Sequence, residues 1–336
     1  MKLKITYGVL FLLLIGSASQ AQLFPNLGGQ RAGIAAYSFL KTDVNARSVA
    51  MGGASVTLTD DAFAAINNPA ALIRNEENSI ALGNYAYGWD MHQSYLSGIL
   101  KKGTNAFGLS VNMLNSGAMD VRTEFQPGGT GELFYVTNTS VMLNFAKELS
   151  DNFSFGIGIK YLNEQIAQYR SHNAAADLGF LYQTDFKDLR FAVFVQNFGG
   201  KSSINGDYFA LDFNRDTSAS PDIYNMPTVF KLGLSMVPWE KDEHSLRVAA
   251  QLNHPNDNAE NIRLGAEYNY NDLLFARVGY KINLKGQTLP AFGLGYRTQI
   301  KNNPLYFNYA FNLTNFLGAQ HSIGVGFHFY KAVDRE

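Results

Sequence analysis

From Ser79 onward, apolar and polar residues change places at almost every step. The stretch Phe153–Asn163 shows the pattern most clearly. Phe153, Phe155, Ile157, Ile159 and Tyr161 make one row, and Ser154, Gly156, Gly158 and Lys160 make the other. A period of two belongs to an extended strand, which points alternate side chains to opposite faces. Two settings produce such a strand: a half-buried sheet in a soluble sandwich, or a barrel wall with lipid outside and a wet lumen inside. Recurrence and surroundings decide between them.

The pattern recurs at 79–89, 93–101, 105–124, 133–147, 153–166, 174–183, 189–198, 227–237, 245–254, 262–270, 274–283, 289–298, 305–312 and 320–330. That is about fourteen passes, an even number, most of them near the length a tilted strand needs to cross a membrane. Every second connection is short: Lys102–Thr104, Glu148–Asn152, Thr184–Asp188, Pro238–Glu243, Asn271–Asp272 and Gln299–Pro304. The others vary, and the longest, Gly199–Met226, falls among them. Membrane barrels keep tight turns on the periplasmic side and longer loops outside, so Gly199–Met226 is expected outside, where its polar residues and scattered aromatics suit contact with a partner. The last pass alternates Ile323, Val325, Phe327 and Phe329 with Ser322, Gly324, Gly326 and His328. It is expected to close the wall, because an open sheet edge cannot sit unsatisfied in lipid.

The chain before Ser79 reads differently. Residues 1–21 carry Lys2 and Lys4, an apolar run and a small-residue end at Ala21, the layout of a cleaved secretory signal. Residues 22–78 lack clean alternation. Asp60 is expected to cap a short helix over Asp61–Ile66, stopped by Asn67-Asn68-Pro69. Such small-residue, turn-rich material suits a plug inside a barrel mouth better than a lipid-facing wall. The chain is thus divided into a signal (1–21), a plug or hatch (22–78) and a barrel (79–336).

Composition sharpens this. Charged residues are 16% and aromatics 13%, and the net charge is -1. Few charges with many aromatics fit a membrane barrel. The near-neutral balance gives no reason to expect a nucleic-acid partner. There are no cysteines, which excludes disulfides and thiolate metal sites. The six histidines are scattered without metal-ligand spacing, and the Gly-x-Gly pairs lie inside strand alternation, so no phosphate cradle follows. No Ser-His-acid grouping is visible. No enzyme activity, cofactor or metal is expected.

Two features are candidates for function. Charges on Arg247, Arg263, Glu267, Arg277, Lys281 and Arg297 fall on the polar row and are expected to form a lumenal ladder of ion pairs. Facing mid-bilayer instead, each Arg or Lys would cost about 2–4 kcal/mol. The ladder has a structural reading, satisfying polar groups in a narrow barrel, and a substrate-binding one. The second feature is the third pass, 105–124, interrupted at Asn115-Ser116-Gly117. Glycine inside a strand often marks a bulge or bend.

The motifs Asn45-Ala46-Arg47 with Ala50-Met51-Gly52-Gly53-Ala54, then Asp60-Asp61-Ala62, then Asn67-Asn68-Pro69-Ala70-Ala71-Leu72 resemble the start of the PorV/PorQ family. Val195–Gly200 and Met226-Pro227 are similar to later stretches of that family. These are outer-membrane barrels related to FadL-type transporters. The resemblance implies an all-β, membrane-spanning antiparallel barrel in the bacterial outer membrane, with lipid around it. It implies an accessory of the type IX secretion system, binding the secretion channel and its cargo proteins. The alternative it carries is FadL-like uptake of small hydrophobic compounds, for which a kink at Asn115, Ser116 and Gly117 would open a lateral route. A purely structural barrel is the third class.

Overall fold

The computed structural model describes residues 33–59, 62–75, 77–204 and 223–329. The signal reading of residues 1–21 and most of the loop Gly199–Met226 lie outside them, as do Asp60 and Asp61.

Fourteen antiparallel strands form one closed barrel. They are β1 Asn78–Gly88, β2 Met91–Lys102, β3 Asn105–Asn115, β4 Val136–Ser150, β5 Phe153–Ile166, β6 Tyr169–Gln183 and β7 Arg190–Gly199. They continue as β8 Val229–Lys241, β9 His244–Pro255, β10 Asn261–Tyr270, β11 Leu274–Ile282, β12 Ala291–Ile300, β13 Asn303–Thr314 and β14 Gly318–Phe329. Each strand pairs with its neighbours in sequence, and β1 closes on β14 from Asn78↔Phe329 to Ala86↔His321. Closure gives every strand a paired neighbour on each side, so no strand is left as a free edge in lipid. No helix among the described residues is long and apolar enough to cross a membrane.

The two rows meet different surroundings. On β5, Ser154 and Lys160 are buried inward while Ile159 and Tyr161 are exposed. Around the barrel, Leu100, Leu143, Ile159 and Leu294 are each at least 63% exposed. An apolar belt of this kind on every strand is sustained by lipid, not water. Outward Tyr–His pairs lie toward its rims: Tyr161 with His172, Tyr268 with His244 and Tyr309 with His321, at 2.9, 2.6 and 2.8 Å. Amphipathic rings of this kind suit the lipid headgroup level.

The third pass is shorter than its sequence suggests. β3 leaves the wall at Asn115, and Met119–Asp120 pairs instead with Leu133–Phe134 in a separate hairpin. Strand alternation resumes past Gly117, but in a loop outside the barrel.

The lumen holds residues 33–59 and 62–75. This plug includes two short helices, α1 Ala46–Ala50 and α2 Ala64–Asn67, and two 3-10 helices, Ser38–Lys41 and Pro69–Arg74. Its Ala46, Ala50, Met51, Ala64, Ala70, Ala71 and Leu72 are wholly buried. Asn45 caps α1 by accepting from Arg47 N at 3.0 Å. Asn68 caps the 3-10 helix by accepting from Ala70 N, and its amide donates to Val56 O, both at 3.0 Å. Pro69 follows at the first helical position, where its missing N–H is not needed. Asn67 closes α2.

Candidate functional site

The wall's inner row of glycines is where the plug rests. A Cβ on Gly279 would lie 2.0 Å from Gly52 N, and one on Gly156 2.3 Å from Ala70 N. A Cβ on Gly179 would likewise collide with Asn68 Oδ1, one on Gly233 with Val56, and one on Gly293 with Ala50. Only residues without a side chain leave room for backbone to dock so closely. Wall side chains then satisfy plug backbone. Gln251 accepts from Ser55 N and Val56 N, both at 3.0 Å, while Ser97, Ser154 and Ser322 donate to Ala62 O, Ala70 O and Val44 O. Of the Gly-x-Gly pairs seen in the sequence, Gly156 and Gly293 are docking sites for the plug, while Gly158 and Gly295 face side chains of the wall.

Two charge clusters lie on either side of α1. On the periplasmic side, Glu267 accepts from Arg47 Nε at 2.8 Å and Arg47 Nη2 at 2.7 Å, and from Arg277 Nε at 2.6 Å. Arg277 also donates to Asn308 at 2.7 Å. Both carboxylate oxygens are engaged, and all three charged residues are buried. A cavity of about 210 Å³ lies beside them, lined also by Arg247, Asp272, Arg297 and His328.

On the extracellular side, β8 to β11 place Lys231, Asn253, Arg263 and Lys281 on one arc of the inner wall. Asp43 of the plug reaches Arg263. Burial pushes its carboxyl up, but Arg263, Lys281 and Lys231 outweigh this and hold it below the ordinary carboxylate value. Lys41 pairs with Asp257 at 2.7 Å at the rim. A cavity of about 330 Å³ opens here, lined by these cations, by Tyr85 and Tyr87, and by Val49, Leu284, Phe316 and Leu317.

The six residues of the expected charge ladder line the two cavities. Glu267 and Arg277 pair with each other. Arg263 turns to Asp43, Arg247 meets Asp188 at 2.9 Å, and Arg297 stacks over Tyr306 at 5.3 Å. Lys281 makes no ion pair or hydrogen bond among the described residues. The partners come from the plug and from the turn before β7, which a strand-by-strand reading does not bring near. Asp43, Asp188, Lys160, Asp177 and Lys231 were missed. Lys160 and Lys231 sit on the inward row and were accessible by parity. Asp43 was not, because the plug has no alternation to read. Lys160 pairs with Asp177 at 2.8 Å and donates to Asn197 at 2.6 Å.

The interruption at Asn115–Gly117 is not a break in the wall. β3 pairs with β2 up to His92↔Asn115 and with β4 up to Asn115↔Thr137, without a register shift. Ser116 N then donates to Val136 O at 3.0 Å. Asn115 and Gly117 form the strand's exit turn, where Gly117 N meets Asn115 Oδ1 at 2.8 Å. No lateral gap opens there. A notch exists elsewhere. β11 pairs with β10 through Ile282 but with β12 only through Gly279, and β13 pairs with β14 through Thr314 but with β12 only through Phe311. Tyr280–Ile282 and Asn312–Thr314 thus flank a gap above Ala291. The loop 283–290 crosses it, pinned by a bridge between Gln287 and Thr314. Pro290, which has no N–H to donate, precedes β12.

These features define an outer-membrane β-barrel with an internal N-terminal plug. Among solved structures, the chain is similar in fold to three hydrocarbon channels. The Ralstonia pickettii toluene transporter TbuX aligns at 14% identity and TM-score 0.53, covering 85% of this chain and 98% of that one. The Pseudomonas putida toluene transporter TodX gives 14%, 0.55, 85% and 98%. The CymD monoaromatic hydrocarbon channel gives 14%, 0.54, 86% and 98%. At such identity the likeness establishes fold. No family model and no curated protein sequence matches, so the PorV/PorQ resemblance rests on its motifs.

Proposed function

We propose that this barrel passes small hydrophobic compounds, of the size of a monoaromatic ring, from the cell exterior into the outer membrane or beyond it. The observation that carries the reading is the shared architecture: a closed wall of fourteen strands with an N-terminal plug, aligned with hydrocarbon channels over most of both chains. The apolar side of the extracellular cavity, Val49, Leu284, Phe316 and Leu317, supports a first resting place. The notch above Ala291 supports a way out toward the lipid-facing Tyr280 and Leu289, with the loop 283–290 as its cover.

Accumulation of radiolabelled toluene by cells that express the barrel tests this against cells that do not. Expression is expected to raise the initial rate several-fold; equal rates contradict the reading. Cysteines at Gln287 and Thr314 test the route, since the chain has none of its own. Oxidation should lower the rate and reduction should restore it.

A second reading is favoured by the Asn45–Ala54 and Asn67–Leu72 motifs, which resemble PorV/PorQ barrels. In it the barrel serves type IX secretion by holding cargo proteins at the surface. Affinity capture from outer membranes separates the two readings. Recovery of a secretion channel or its cargo supports the second, and recovery of the barrel alone supports the first.

A further inference from the structure

The extracellular cavity has more cations than the plug can match. Arg263 is met by Asp43 and Lys41 by Asp257. Lys231 and Lys281 make no ion pair or hydrogen bond among the described residues. Lys231 is 8% exposed, and its ammonium lies 5.6 Å from the Phe194 ring centroid, a contact that leaves its three donors unused. Lysine is almost never this buried without a partner. Both lysines line the same cavity, with Arg263 between them on the wall and the amides of Asn253, Asn261 and Asn312 beside them. An arc of ammonium and amide groups on a rigid sheet is a preorganised receptor for negative oxygen atoms.

We propose that this arc binds a small polyvalent anion, a phosphate or a dicarboxylate, between Lys231 and Lys281. The charge deficit sets the class. Among the described residues, the Asp43 carboxylate near Lys231 and Lys281 is already bound to Arg263, so a doubly charged anion balances the two and a singly charged one does not; Lys285, also in the lining, is exposed to water. This inference stands apart from the hydrocarbon reading, because it rests on the cations of the cavity lining and not on its apolar residues.

Equilibrium dialysis of the full-length barrel, purified in detergent, against radiolabelled inorganic phosphate tests it. Saturable binding at one site per barrel is expected. Succinate should compete, and acetate should compete at least tenfold less well. The variants Lys231→Gln and Lys281→Gln should each weaken phosphate at least tenfold, while heat-modifiable migration on gels reports that the barrel remains folded. Should either variant fail to fold, acetylation of Lys231 and Lys281 in the wild-type protein, read by mass spectrometry, replaces it. Phosphate is then expected to protect both lysines and to leave the exposed Lys102 unprotected. No saturable binding, unchanged binding in folded variants, or no protection overturns the proposal. So does acetate competing as well as succinate. Toluene accumulation is not read in this experiment, so either proposal can fail without the other.

Discussion

The two charge clusters beside α1 each set one carboxylate against basic side chains, and they end in different states. On the periplasmic side, Glu267 lies between Arg47 and Arg277, and both of its oxygens are engaged. On the extracellular side, Asp43 meets Arg263, while Lys231 and Lys281 line the cavity and make no ion pair or hydrogen bond among the described residues. The first cluster joins plug to wall. The second gives the same plug an unsatisfied positive face toward the outside. Burial alone does not separate them, since Lys231 is as buried as Arg277. The difference lies in how the cations are engaged: Arg47 and Arg277 both donate to Glu267, whereas Lys231 and Lys281 make no ion pair or hydrogen bond among the described residues. A shared acceptor makes a latch, and cations left without one make a receptor.

The strongest way to break the latch is Glu267→Gln. It leaves Arg47 and Arg277 facing each other in a buried site. Removing one partner of a buried ion pair costs about 3–5 kcal/mol, so the unfolding midpoint in urea should fall by the corresponding amount. The equivalent change above, Lys281→Gln, should cost far less, because it removes a cation that has no counter-charge.

Next in size is Gly279→Val. Its Cβ would meet the Gly52 backbone, which cannot turn aside as a side chain can. Overpacking of this kind typically costs about 1–3 kcal/mol. Protease should then cut the plug faster, while the barrel keeps its migration on gels. Gly103, which has open space around the position of a Cβ, lies in a turn far from the plug, but its φ of +60° makes its own substitution strained. Gly98, whose nearest neighbour lies at 4.0 Å, is therefore the proper control.

A smaller change sharpens the contrast. Asp43→Asn removes the carboxylate that, among the described plug residues, meets the cation arc. Phosphate should bind this variant several-fold more tightly than wild type, measured by the same dialysis. The smallest effect is in pH. Asp43 is held below its unfolded value of about 3.9, so its contribution to stability is fully present above that pH. It is lost as pH falls through the lower folded value. Wild type should therefore be more stable than Asp43→Asn near neutrality, and the gap should narrow below about pH 4.

The sequence revealed the wall far better than the plug, for a physical reason. A membrane strand must show its two solvents residue by residue, so the parity of Ile159 and Lys160 is written into adjacent positions. Strand number, closure and the side on which Arg263 and Glu267 lie all follow from that parity. The plug makes its contacts through backbone, caps and single charges, which leave no period. Gly156, Gly279 and Gly293 read as small lumenal residues, and nothing near them in sequence names Ala70, Gly52 or Ala50 as their neighbours. Likewise Glu267 lies buried on the polar row of its strand, but its principal partner, Arg47, is distant in sequence. Parity also misled at one point. The alternation past Gly117 continues in Val121 and Thr123, yet Met119–Asp120 pairs with Leu133–Phe134 off the wall. A short hairpin and a barrel strand share the same period.

The most direct test of the contrast between the clusters is the gain in unfolding midpoint on adding saturating phosphate, measured for wild type, Asp43→Asn and Glu267→Gln. A ligand stabilises the folded state according to its affinity. Asp43→Asn should gain more than wild type, and Glu267→Gln should gain the same as wild type while keeping its full deficit. Equal gains in all three, or none in any, would contradict the account.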